Sequence, residues 1–242
     1  MTYNCDWREP KTDSKADQDA AQRSLEFFLA WFADPVYFGD YPAVMRERVG
    51  KRLPKFTDEE KTLITGSSDF FGLNHYNTMY ASNVKPGTKV DNYVYSNAGV
   101  FKDQRVALTA DPAWELTDMQ WPVVPWGLGK LLLWITERYG KPPIYITENG
   151  CAMPDVVAGG KVDDPRRISF LDGYMGSVHD AIMSGADVRG YFVWSLMDNF
   201  EWASGYDKRF GMIHINFETM ERILKSSAAW YTEVIKSDSL KK

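Results

Sequence analysis

The chain has 242 residues, 44% of them apolar and 25% charged, enough for one sizeable core in a single domain spanning residues 1–242. A net charge of −5 and a pI near 5.3 leave no basic footprint for nucleic acid, and no positive run favours a membrane surface. The first residues lack a charged segment followed by an apolar one, and no apolar run approaches the roughly 18 residues of a membrane span, so a cytoplasmic protein is expected.

Residues 3–7 form a brief apolar and aromatic segment that reads as a strand, and the following Arg-Glu-Pro-Lys-Thr-Asp-Ser reads as a loop rich in breakers. From Asp17 to Phe32 apolar residues recur at helical spacing, with Leu25, Phe28, Leu29 and Phe32 on one stripe and Asp34-Pro35 as the stop. Residues 45–49 give a short helical piece. Another helix is predicted over 55–65, where Thr57-Asp58-Glu59-Glu60 has the form of a capping box.

Residues 69–76 read as a second strand, with Phe70, Phe71 and Leu73 packing and Asn74, His75 and Tyr76 emerging at its end. His75 reads as a packed, hydrogen-bonded histidine. The stretch 79–120 has no clear periodicity and is long for a connection. A helix is predicted over 128–139, with Leu131, Leu132 and Ile135 facing inward.

The apolar run Ile144 to Thr147 then reads as a buried strand that delivers Glu148 to its C-terminal end, where Asn149-Gly150 begins a turn. In an α/β barrel, chemistry sits at that end of the strands. On spacing alone Glu148 is equally well a solvated strand-end acid. After a flexible turn at 157–160, Asp164-Pro165 starts a helix over 166–183 that Ser184-Gly185 ends. Residues 188–194 are a near-continuous apolar run, as parallel strands require, and a closing helix is predicted over 222–235, followed by a polar tail. Four strand-plus-helix units result. Barrels of this class need eight, in about 250 residues.

Four stretches carry a family resemblance in a fixed order: Phe71-Gly-Leu-Asn-His-Tyr76, Ile146-Thr-Glu-Asn-Gly150, Trp194-Ser-Leu-Met-Asp-Asn-Phe-Glu-Trp202 and Gly205-Tyr-Asp-Lys-Arg-Phe-Gly211. Together they resemble the C-terminal half of the retaining β-glycosidases of glycoside hydrolase family 1, β-glucosidase type. The resemblance runs from about Tyr3 to about Ile235. It implies a TIM-barrel-type half-barrel, strands five to eight of the family barrel; because such a half leaves two unpaired strand edges and an exposed apolar inner face, completion by oligomerisation is expected.

The resemblance further implies hydrolysis of β-glucosides with Glu148 as nucleophile and Tyr76 hydrogen-bonded to it; a donor on a carboxylate favours the ionised form that attacks. It assigns Asn74, Trp121, Trp194, Glu201, Trp202 and Phe210 to sugar binding. Trp121 resembles the tryptophan on the aglycone side, Trp194 the platform under the ring, and Glu201 with Trp202 the pair that reads hydroxyls. The 14% aromatic content suits stacking on sugar faces, and equally a large aromatic core. An acid at 201 argues against a phosphorylated sugar.

A retaining glycosidase also needs a second carboxyl group to protonate the leaving oxygen. The family's acid lies in an Asn-Glu-Pro motif that does not occur in these 242 residues; Glu9 precedes a proline, but its context matches the next strand's loop. Activity of the lone chain is therefore in question. The alternative is a weak or inactive sugar-binding or structural half-barrel module that self-assembles.

Expected partners are a small β-glucoside or glucose and a second copy of the chain through the open barrel edges, with a complementary N-terminal half as the other possibility. Cys5 and Cys151 have no metal-ligand spacing around them and read as ordinary thiols, so no metal or other cofactor is expected.

Overall fold

A computed structural model describes residues 1–88 and 99–240. Its elements in chain order are β1 (Thr2–Asn4), β2 (Trp7–Pro10), α1 (Lys15–Leu25), α2 (Trp31–Phe38), α3 (Ala43–Val49), α4 (Asp58–Ile64), β3 (Phe71–Asn74), β4 (Thr78–Asn83), α5 (Gly99–Gln104) and β5 (Val106–Thr109). There follow α6 (Pro125–Tyr139), β6 (Ile144–Asn149), β7 (Val157–Ala158), β8 (Lys161–Val162), α7 (Pro165–Met183), β9 (Val188–Val193), β10 (Ile213–Ile215), β11 (Arg222–Leu224) and α8 (Ser226–Ser237).

Four strands form an all-parallel sheet in the order β1-β3-β6-β9. One face of the sheet is packed under helices. Tyr3 and Cys5 from the first strand and its exit, Phe71 and Leu73 from β3, and Ile144 and Ile146 from β6 are buried there against Leu128, Leu131, Leu132 and Ile135 of α6 and Phe170, Leu171 and Tyr174 of α7. Burying a side chain such as Ile144 contributes about 1.5–3 kcal/mol.

The opposite, concave face is mixed in character. A Cβ on Gly72 would meet Thr2, and one on Gly190 would meet the rings of Tyr145 and Phe192, which places these side chains on that side together with Asn74 and Thr147. The face is therefore not uniformly apolar: polar residues line much of it and Phe192 stands 58% exposed.

The structure departs from the sequence reading in several elements. The single strand read over 3–7 is two: β1 ends at Asn4, and Trp7 joins residues 8–10, read as loop, in β2, paired in parallel with β4 in a second sheet of order β2-β4-β5. Much of the stretch read as irregular is thus organised, while residues 89–98 of it lie outside the described residues. The first helix does not stop at Asp34-Pro35. It passes through a π-helical turn at Glu26–Ala30 and continues to Phe38, where Gly39 at φ 78° ends it.

The extra residue of that wide turn also shifts the helix face. Leu25 and Leu29 are buried, but Phe32, expected on the same stripe, is 56% exposed. Phe70 is 38% exposed while Phe71 takes the core position. The last helix begins later than predicted, since 222–224 is a strand paired with β10.

Other expectations hold. Thr57 and Glu60 form the capping box with both bonds present. The flexible turn is the tip of the β7–β8 hairpin, with Gly159 and Gly160 at φ 58° and 72°, a region glycine enters without strain. Cys5 and Cys151 are buried free thiols.

Candidate active site

The site forms at the C-terminal ends of β1, β3, β6 and β9, where backbone and side chains bond across neighbouring strands. The Cys5 amide donates to the Asn74 carbonyl (2.9 Å), the His75 amide to the Glu148 carbonyl (2.9 Å) and the Trp194 amide to the Asn149 carbonyl (2.9 Å). Asn149 is fully buried; its amide nitrogen donates to the His75 carbonyl (2.7 Å) and its oxygen accepts from the Tyr191 hydroxyl (2.5 Å). His75 is buried as expected, its Nδ1 at 3.0 Å from the Cys5 carbonyl, and burial lowers its pKa.

The direction of Glu148 comes from an irregularity in β6. Leu73 pairs with Ile146, but Asn74 pairs with Glu148, so Thr147 is an extra residue opposite β3. Strict alternation would send Glu148 to the helix side with Ile144 and Ile146. The extra residue turns it to the inner rim, as bulges beside active sites commonly re-aim a side chain. There Oε2 accepts a 2.5 Å hydrogen bond from the Tyr76 hydroxyl, and Thr147 donates to Asn74 Oδ1 at 2.6 Å.

Burial and the adjoining Glu148 carboxylate push the Tyr76 phenol far above its ordinary pKa, so it stays protonated and donating. Glu201 is buried and also sits within reach of the Glu148 charge. Burial raises its pKa, the Glu148 charge adds to that, and a hydrogen bond from the Trp194 side chain opposes them.

Tyr76, Trp121 and Phe210 make one aromatic wall, with ring centroids 5.3 Å (Tyr76 to Trp121), 6.3 Å (Tyr76 to Phe210) and 6.0 Å (Trp121 to Phe210) apart. Trp202 stands apart from this group of side chains. It begins the single turn Trp202–Ser204 with φ 42° and is 80% exposed, while the neighbouring Glu201 points inward.

Glu9 belongs to the second sheet. It accepts from Trp7 Nε1 (2.6 Å) and from Lys130 Nζ (2.8 and 2.9 Å), which accounts for its charge away from Glu148.

Sequence reasoning missed the buried ionic network behind the Trp194–Glu201 segment. Lys225 is fully buried; its Nζ lies 2.7 Å from Asp155 Oδ2 and 3.1 Å from Asp198 Oδ1. His214 Nδ1 lies 2.8 Å from Asp155, Arg209 3.1 Å from Asp198, and Arg167 bonds Asp164 at 2.8 Å. Asp198 also accepts from the amides of Gly211 and Ile215, fastening the segment after β9 to β10. Asp155, Asp198 and His214 have the spacing of metal ligands, but the Lys225 ammonium already bridges the two carboxylates, so the cluster is built as ion pairs. The signals in the sequence were Asp198 and Arg209, which lie inside the family motifs, and a charged residue, Lys225, beside apolar Ile223 and Leu224.

A carboxylate and its phenolic donor at the C-terminal rim of a parallel sheet lie on the face where α/β barrels carry their sites. The chain belongs to glycosyl hydrolase family 1, whose profile matches residues 1–240. It is similar to beta-glucosidase 4 of Oryza sativa subsp. japonica, 41% identical over 98% of this chain and 50% of the relative, and to beta-glucosidase 42 of Arabidopsis thaliana, 40% identical over 98% and 49%.

A Delphinium grandiflorum protein named as a cyanidin 3-O-glucoside 7-O-glucosyltransferase (acyl-glucose) is 42% identical over 95% of this chain and 44% of its own. Among solved structures, a family 1 b-glucosidase from Thermotoga maritima superposes with a TM-score of 0.87 at 34% identity, covering 100% of this chain and 51% of that one. A rice beta-glucosidase superposes with a TM-score of 0.86 at 36% identity, covering 96% and 50%. The chain thus spans about half the length of the relatives it matches, and its fold is a partial α/β barrel.

Proposed function

We propose that this chain is the nucleophile-bearing part of a retaining β-glucosidase, a single domain that corresponds to strands five to eight of the family barrel. The observation that carries this reading is the 2.5 Å hydrogen bond from Tyr76 to Glu148 on the strand-end rim. Glu148 attacks the anomeric carbon and forms a glucosyl ester, while Tyr76 holds the attacking carboxylate in line. Asn74, Trp121, Trp194, Glu201, Trp202 and Phe210 bind the sugar. Trp194 lies under the ring, Glu201 accepts from its hydroxyls, and the Trp202 indole donates to one of them.

The leaving group decides how far the reaction runs. With no Asn-Glu-Pro acid in these residues, glucosides whose leaving group departs without a proton, such as nitrophenyl glucosides or acyl-glucose, react first. The Delphinium relative's name, with its acyl-glucose donor, favours the same substrate class. General-acid help is worth roughly 10²- to 10⁴-fold, so alkyl glucosides are turned over only when a second barrel half contributes that acid.

The open edges of β1 and β9 are the surfaces for a second barrel half, and only a half other than this chain brings the Asn-Glu-Pro acid. An apolar cavity of about 360 Å³ beside β1 is lined by Tyr3, Phe27, Phe28, Trp31 and Phe32 among others, and the β9 side exposes Phe192 and Leu196. All four strands run in parallel, so a two-fold axis along the barrel sets β9 of one copy beside β1 of the other in the same sense, closing an eight-stranded homodimer.

The test is light scattering on the sample used for nitrophenyl β-glucoside hydrolysis, wild type beside Glu148→Gln. A dimer that hydrolyses while the variant does not is the expected result. A monodisperse monomer with its β1 cavity closed overturns the assembly. Equal inertness of both proteins, with glucose still bound, favours the second reading, a sugar-binding module.

A further inference from the structure

Two links leave the barrel sheet side by side. Cys5-Asp6 connects β1 to β2, and residues 75–77 connect β3 to β4; β1 pairs with β3 and β2 with β4, both in parallel. Backbone amides within such links have no ladder partner, and a buried amide left unpaired is costly. His75 spends its amide on the Glu148 carbonyl. The next two amides, of Tyr76 and Asn77, both donate to one atom, Asp6 Oδ1, at 3.1 and 3.0 Å.

Asp6 therefore straps the first link to the second at the residue whose hydroxyl reaches Glu148. The same pair of links is bonded once more from the other side, His75 Nδ1 to the Cys5 carbonyl. The Asp6 charge is also felt at the Tyr76 hydroxyl, adding to the upward shift of its pKa.

We propose that Asp6 is a positioning residue for the Tyr76–Glu148 pair, fixing the backbone of Tyr76 so that its phenol meets Glu148 in the attacking orientation. This rests on the reading of Glu148 as nucleophile. The property that matters is the acceptor atom, since two amide donors ask for one well-placed oxygen. An asparagine at position 6 keeps an Oδ1 acceptor while losing the charge and exchanging Oδ2 for an NH2 donor; an alanine loses the acceptor as well.

The test uses a reagent that needs no general acid, a dinitrophenyl 2-deoxy-2-fluoro-β-glucoside. Glu148 attacks C1, the C1–O bond breaks, dinitrophenolate leaves as an anion, and the fluoroglucosyl ester accumulates as a mass gain on the intact chain. In Asp6→Ala the maximal labelling rate falls by about tenfold or more while the half-saturating concentration changes little, because geometry and not ground-state binding is lost. Asp6→Asn labels at close to the wild-type rate. Amide hydrogen exchange on the same proteins shows the Tyr76 and Asn77 amides losing protection in Asp6→Ala and keeping it in Asp6→Asn, a readout independent of turnover.

Labelling of Asp6→Ala at the wild-type rate overturns the proposal, as does an Asp6→Asn as slow as Asp6→Ala, or unchanged exchange at Tyr76 and Asn77. A wild type that takes no label overturns instead the assignment of Glu148 as nucleophile, and the role of Asp6 in the reaction with it.

Discussion

The Tyr76 hydroxyl and the Glu148 carboxylate, 72 positions apart in sequence, meet at 2.5 Å because β3 and β6 are adjacent and β6 carries one extra residue at Thr147. Removing the hydroxyl leaves the carboxylate without the donor that orients it. Tyr76→Phe is expected to slow nitrophenyl β-glucoside hydrolysis by about 10²-fold, mostly in kcat, with the melting temperature little changed. Steady-state kinetics and a thermal melt on the same sample check both halves.

Glu201 carries a pH signature. Its folded pKa is raised above the ordinary 4.5 by burial and by the Glu148 charge, so the folded chain holds this proton more tightly than the unfolded chain does. The resulting stability is fully present below pH 4.5 and is lost as the pH rises through the folded value. Glu201→Gln does not titrate. Its melting temperature should equal or exceed the wild type's at neutral pH, the gap closing on acidification to pH 4, and a glucose titration should show weakened binding.

The buried network predicts a large, rescuable loss. Lys225→Met leaves Asp155 and Asp198 facing each other without their shared cation, and breaking a buried pair by removing one partner costs about 3–5 kcal/mol. Replacing Asp155 by Asn in the same chain should recover part of that. Denaturant unfolding of the single and double variants measures the difference; equal stability of wild type and Lys225→Met contradicts it.

Gly150 has no room for a side chain. A Cβ there would lie 1.7 Å from the Trp194 carbonyl oxygen, a backbone atom that moves only if the end of β9 moves. Gly150→Ala is expected to destabilise by about 1–3 kcal/mol and to weaken glucose binding through Trp194, both measurable by titration calorimetry and unfolding.

Much of this was legible in the sequence because short apolar stretches such as Ile144–Ile146 and Tyr191–Val193 mark the strands of the parallel sheet and the site motifs lie at their ends. The capping box at Thr57, the buried His75 and the strand that delivers Glu148 all follow from local pattern. The rest was hidden where one residue changes the count. Alternation from Ile144 and Ile146 predicts the wrong side for Glu148, and only the pairing of Asn74 with Glu148 reveals the correction. The π-helical turn at Glu26–Ala30 likewise moves Phe32 off its stripe, and no residue type announces it. The partnership of Trp7–Pro10 with β4 spans about 70 positions, beyond the reach of periodicity, and a proline at the end of such a strand disguises it.

In the sheet β1-β3-β6-β9, the order in space is the order along the chain. During synthesis each strand therefore meets a neighbour that has already been made, and it can be zipped on as it emerges instead of waiting for a distant segment. β9, which presents Phe192, is the last strand of this sheet in chain order, so the residues Asp6, Tyr76 and Glu148 are all synthesised before it.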